Sequence, residues 1–241
     1  SRQRVRGGLG ERHNLSQPGA PTGHMQLYWH RRNLQPAPNP ALATALDAAD
    51  AAESGVVPIF VLDDAILSRA DGLGVAFMLN SLRTLRDWYR DHGSDLVIQH
   101  GDPTEIVGQV AERIGAQRVV WNSDHSRLAR ERDRAVRRAL THSDIDHTSV
   151  PSEQVTGRRA ATPPVSEPAA QLASPTTFDI ETRAVPQLSE LADTGYDATP
   201  LTAGTEAARK RLQALSNGTT YRRCDDRDIA LSRQAARRNW G

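Results

Sequence analysis

A single cysteine, Cys224, leaves no partner for an internal disulfide, excludes a cysteine metal site and suits a reducing, cytoplasmic setting. No run of about 18 apolar residues occurs, so no membrane span is expected. Neither sign of charge dominates: the formal net charge of 241 residues is +1, which gives no bulk argument for nucleic acid. Lysine is nearly absent, with Lys210 alone, so arginine carries the positive charge. A Walker loop, a glycine-rich dinucleotide fingerprint and a nucleophile elbow are all missing, and Gly72-Leu73-Gly74 is too short to replace them. His30, His92, His100, His125, His142 and His147 show no pair at metal-ligand spacing on one helix. They are expected to be ordinary surface or loop histidines, and no metal site is assigned.

What is present is a regular alternation of two patterns. Residues 1–24 are rich in Arg, Gly and Pro without a hydrophobic period, and lack the apolar core of a signal peptide. They are expected to form a disordered leader. From Met25 the pattern becomes ordered. Gln26–His30 reads as a strand. Asn39-Pro40 supplies an N-cap and a first-turn proline for an Ala-rich helix to Glu53. Val56–Leu62 is a continuous apolar run, the mark of a strand buried on both faces. Val75, Met78, Leu79, Leu82, Leu85 and Tyr89 share one helical face. Asp95–Gln99 is a third strand. Asp102-Pro103-Thr104-Glu105 opens a helix to about Ile114. Arg118–Trp121, Ala129–Leu140 and Ile145–Val150 complete the series as strand, helix and strand.

This alternation predicts an α/β fold over 25–150: a Rossmann-like, five-stranded parallel sheet with helices on both faces. Ligands of such sheets sit beyond the carboxyl ends of the strands. The loops to inspect are therefore His30–Asn39, Asp63–Gly74, His100–Pro103 and Asn122–Arg127. Arg31-Arg32 could meet an anion at the mouth of the sheet. Asp63-Asp64 could hold a ligand hydroxyl or simply cap a turn, and Asp102 reads as an N-cap. Trp29 and Trp121 read as core. Acidic residues outnumber arginines over 25–150, whereas basic residues are in excess on either side. After Val150 the periodicity stops. Residues 151–205 are expected to be an irregular linker, with one short amphipathic helix at Glu206–Leu215 and an arginine-rich end, a mostly irregular C-terminal tail.

Taken together the motifs are more specific than any one of them. Tyr28-Trp29-His30-Arg31-Arg32-Asn33-Leu34, followed by Asn39-Pro40-Ala41-Leu42, resembles the opening strand and loop of DNA photolyases and cryptochromes. Val57–Asp63 resembles their second strand, and Val75-Ala76-Phe77-Met78-Leu79 with Ser81-Leu82 their next helix. Gly101-Asp102-Pro103, Val120-Trp121-Asn122-Ser123-Asp124 and Ala129-Arg130-Glu131-Arg132-Asp133 complete the match in order, over 25–150.

The resemblance implies a light-dependent carbon–carbon lyase of two domains. The first, seen here, is an antenna domain for a deazaflavin, a folate or a flavin. The second, all-helical, holds an FAD that passes an electron to pyrimidine dimers in DNA, whose bases are flipped out to reach it. Antenna residues carry over in part. Asp124 matches the acid after the Trp-Asn of the fourth strand, Phe60 matches the aromatic of the second, and Arg31 joins them as the anion-facing candidate. Ser126, Gly74, Asn33 and Gln35 depart from the deazaflavin-type pattern. Ala129 stands where a folate contact would be acidic, so a deazaflavin-type antenna is the better match. Residues 151–177 resemble out-of-frame text. Register returns at Val185–Leu188 and Ala203–Ala208, and 206–241 resembles the start of the FAD-binding helical domain. There Arg223 replaces the flavin-contacting tyrosine and the Thr-Ser-x-Leu-Ser loop is missing. The expectation is a chain truncated before that domain. It has no catalytic residue, binds no FAD, and attracts nucleic acid only weakly and without sequence preference. A stand-alone nucleotide- or pigment-binding module, or a pseudogene product, are the alternatives.

Overall fold

The computed structural model describes residues 25–70, 72–151 and 171–191. Five strands, β1 (Met25–His30), β2 (Val56–Leu62), β3 (Val97–His100), β4 (Ala116–Ser123) and β5 (Asp146–Pro151), form one sheet in the order β3-β2-β1-β4-β5. Every pairing is parallel. Between them lie α1 (Pro40–Ala51), α2 (Asp64–Leu67), α3 (Gly72–Asp91), α4 (Pro103–Arg113) and α5 (Arg127–His142). All residues of β1 and β2 are buried, as strands covered on both faces must be. One core joins Leu27, Trp29 and Trp121 to α4 and α5; the other joins Tyr28, Phe60 and Val120 to α1 and α3. The helices thus change face where the chain leaves β3, and β1 with β4 forms the switch point of a doubly wound sheet.

The sequence signals act locally as the chemistry requires. Asn39 caps α1 by accepting from Leu42 N at 3.2 Å, and Asp102 caps α4 by accepting from Thr104 N at 2.7 Å. Gly115 ends α4 with φ +62°, a conformation that costs glycine little. Pro58 is tolerated inside β2 because the β2–β3 ladder begins only at Ile59.

The segment after Val150 is irregular, as expected, but it is not detached from the sheet. Its described part, 171–191, is mostly irregular, with a 3₁₀ turn at Pro175–Phe178 and one helical turn, α6 (Leu188–Leu191). Yet it packs. Leu172 makes a parallel bridge to Val56, with Val56 N donating to Gln171 O and Ala173 N to Val56 O. Arg183 N then donates to Ile98 O, and Thr182 Oγ1 accepts from Ile98 N, so the segment covers the outer edge of β3. Leu172 and Ile180 are buried, and Arg86, paired in two-pronged fashion with Asp95 at 2.7 and 2.8 Å, donates to Arg183 O. A stretch without helical or strand period can still dock by its backbone to a sheet edge. The leader 1–24, the remainder of the linker, the Glu206–Leu215 helix and Arg223 lie outside the described residues.

Candidate functional site

The carboxyl edge of the sheet has two unlike sides. On the β1–β4 side, Asn122 at the end of β4 fills the switch point. Its Nδ2 donates to Tyr28 Oη at 3.0 Å and to Asn39 Oδ1 at 2.8 Å, and its Oδ1 accepts from Ala41 N at 3.3 Å. Tyr28 Oη in turn donates to Asn39 Oδ1 at 2.9 Å. All three side chains are buried, and burial raises the Tyr28 phenol far above its ordinary range. The polar side chains of this network thus satisfy one another.

On the β1–β2 side the edge opens into a cavity of about 770 Å³. Strand alternation gives it two characters. Phe60 and Leu62 point to the α3 side, where Ile66 and Leu67 of α2 and Phe77 and Met78 of α3 complete an apolar wall. Phe77 is 50% exposed and Leu73, one turn earlier, 49%; they are the exposed large hydrophobics among the described residues. The opposite end is cationic. Trp29 and Arg31 point to the other side of the sheet, where α5 supplies Arg132. Arg31 pairs with Asp133 at 2.6 Å and Arg132 with Asp63 at 3.1 Å, while their guanidiniums stack on Trp29 at 5.0 and 5.3 Å from the ring centroid. Burial, and then Arg132, push the Arg31 pKa down, against the pull of Asp133. Asp133 is held in turn by Trp121 Nε1, which donates to it at 3.3 Å. Arg31 Nε and Nη2 and Arg132 Nε are buried without a hydrogen-bond partner.

His30 forms part of the same lining and corrects an expectation: it is not a surface histidine but fully buried. Its Nδ1 lies 3.1 Å from Asn33 O and its Nε2 2.7 Å from Tyr89 Oη. A carbonyl can only accept, so Nδ1 carries the proton and Nε2 accepts from the phenol. Burial lowers its pKa to about 4, which keeps the ring neutral.

Of the three residues chosen from sequence, Phe60 and Arg31 border the cavity. Asp124 does not. It accepts from Ser126 N at 3.0 Å beside the start of α5, and reaches the cavity only through Arg32, which lies 3.4 Å away. Partial burial raises its carboxyl, but the Ser126 amide and Arg32 outweigh that and hold it below the ordinary range. The loops His30–Asn39 and Asp63–Gly74 contribute lining; His100–Pro103 borders instead a smaller hollow of about 450 Å³ with Asp63, Asp64 and Glu131. Asp63 serves two ends at once: it caps α2 through Ala65 N and pairs with Arg132. Trp29 and Trp121 are core, as expected, though Trp29 also floors the cavity. Arg132 and Phe77 emerge only from the fold. Among the described residues, no cluster of three or more His, Cys, Asp or Glu could hold a metal, and no helix is long and apolar enough to cross a membrane.

The cavity, apolar on one side and cationic on the other, lies beyond two strand ends, the place where doubly wound sheets hold ligands when they bind them. The sequence profile described as DNA photolyase matches residues 26–178, and the chain belongs to that family. The chain is 38% identical over 234 residues to a deoxyribodipyrimidine photo-lyase of Halobacterium salinarum, covering 85% of this chain and 48% of that protein. It is 36% identical over 121 residues to the deoxyribodipyrimidine photo-lyase of a Synechococcus species, covering 49% of this chain and 24% of that one. The crystal structure of a Synechocystis cryptochrome shares the fold at TM-score 0.65 and 16% identity, over 79% of this chain and 45% of that chain. The chain thus spans about half the length of the first relative and less of the second. Family likeness also runs beyond Val150, where the periodic pattern ends.

Proposed function

We propose that these residues form the light-harvesting portion of a DNA photolyase, with the β1–β2 cavity as the seat of a flavin-class antenna pigment, of deazaflavin or flavin type. The observation that supports this best is the cavity itself, whose size suits a tricyclic ring and which offers Phe60 and the half-exposed Phe77 as an apolar wall. A bound pigment of this class absorbs near-ultraviolet or blue light and passes the excitation on. The residues of this chain hold the ring against β2 and α3 and exclude water from it. Neutral His30, locked by Tyr89, keeps a second charge away from the cationic end. Asp124 acts from outside, by positioning Arg32 at the rim.

Cleavage of pyrimidine dimers in DNA by a light-excited FAD is the activity proposed for the whole photolyase. None of the described residues forms the all-helical site in which the family holds that FAD, so no step of repair is assigned to them. A cytoplasmic setting is proposed from cysteine usage. The test is a fluorescence titration of the 241-residue chain with riboflavin and with a deazaflavin. One pigment per chain is expected, with binding abolished by Ala70→Trp, which fills the cavity from its exposed rim. No binding, or binding indifferent to that substitution in a chain with unchanged circular dichroism, would overturn the reading.

A further inference from the structure

We propose that residues 171–183 act as an autoinhibitory cover: they occupy the outer edge of β3, and a second copy of this chain pairs with that edge when they lift. The sheet has two outer strands, and their sequences differ in kind. β5 opens on Asp146-His147-Thr148-Ser149 and ends in Pro151, and charge and proline both discourage strand addition. β3 and the residue before it read Leu96-Val97-Ile98, all three buried and none charged. A short apolar edge of this kind pairs readily with another strand. The covering segment lies on this edge, whereas among the described residues no strand pairs with the outer side of β5.

The manner of covering decides what lifting exposes. Leu96 O, Ile98 N and Ile98 O are the backbone groups turned away from β2. One hydroxyl serves two of them: Thr182 Oγ1 accepts from Ile98 N at 2.9 Å and donates to Leu96 O at 3.0 Å. Arg183 N serves the third, donating to Ile98 O at 3.0 Å. A side chain thus stands where a strand would, and it offers no further ladder, so the sheet ends there. Lifting the segment leaves these groups and the apolar residues around them without partners, which is costly. A twofold axis between two such edges sets them antiparallel. Ile98 of each copy then exchanges both backbone bonds with Ile98 of the other. The segment has neither strand nor α-helix of its own between 171 and 183, so it opens at lower cost than the central strands.

The test uses the 241-residue chain. Thr182→Val with Arg183→Pro removes the hydroxyl and the N–H that serve β3 and keeps the buried Leu172 and Ile180. In sedimentation velocity this variant is expected to pass from monomer to dimer as its concentration rises, while the parent sediments unchanged over the same range. Hydrogen exchange locates the contact. The Ile98 amide of the variant is expected to exchange about tenfold faster than in the parent when dilute, and slowly again when concentrated. On the unmodified chain the Ile98 and Arg183 amides are expected to exchange together, and faster than those of Trp29 and Val120 in the central strands. That readout remains should the variant fail to fold. A folded variant whose concentration dependence matches the parent's overturns the inference. So does association that leaves the Ile98 amide fast, or exchange of Ile98 and Arg183 only together with Trp29 and Val120. The pigment reading is independent of all three.

Discussion

The two sides of β1 at its carboxyl end meet the same problem with opposite outcomes. Toward β4, Asn122, Tyr28 and Asn39 satisfy one another and close the switch point. Toward β2, Arg31 and Arg132 keep donors without partners and the edge stays open. A switch point is thus only a place where a ligand can sit; whether one does depends on which side chains end the strands.

That contrast sets an order of effects. The largest belongs to Asp133, which links the closed and open sides through Trp121 and Arg31. Asp133→Ala leaves a buried guanidinium unpaired and is expected to cost about 3–5 kcal/mol in chemical denaturation. A loss under about 1 kcal/mol would show that Arg31 finds other partners.

Acid comes next, through His30. Its folded pKa of about 4 lies below the ordinary 6.5, so the unfolded chain takes up the proton first. The contribution is fully present above pH 6.5 and is lost as pH falls toward 4, on the order of 3 kcal/mol in all. Denaturant midpoints measured across that window are expected to fall more steeply in the parent than in His30→Gln. Identical slopes would remove His30 from the account.

Asn122→Ala strips the closed side, leaving Tyr28 Oη, Asn39 Oδ1 and Ala41 N with fewer partners. A loss of about 2 kcal/mol is expected. Phe77→Ala touches the open side alone. Because the ring is half exposed, stability is expected to change by less than about 0.5 kcal/mol, while flavin affinity drops about tenfold. The reverse pattern, lost stability with intact binding, would make Phe77 an ordinary packing residue.

The fold was legible because its signals are local. Val56–Leu62 is apolar throughout, and Asn39-Pro40 and Asp102-Pro103 announce the helices that follow them. The site was legible in part: Phe60 and Arg31 end their strands, and strand ends are where ligands gather. Arg132 and Asp133 stood in a motif of a highly charged helix without a site role, because only the fold shows that the two point inward to Trp29 and Arg31. His30 was misplaced because strands buried on both faces show no alternation to separate inside from outside. The docking of 171–183 could not be read, since Leu172 and Ile180 have no period and their support comes from backbone bonds to β2 and β3.

The most direct test maps where the pigment sits. Amide NMR of the 241-residue chain, titrated with riboflavin 5′-phosphate, places the ligand without assuming the cavity. The expected shifts fall at Arg31–Gln35, Phe60–Asp63 and along α2 and the first turns of α3, with Asn122–Ser126 little changed. Shifts centred on Asn122–Ser126, with the β1–β2 side silent, would contradict it.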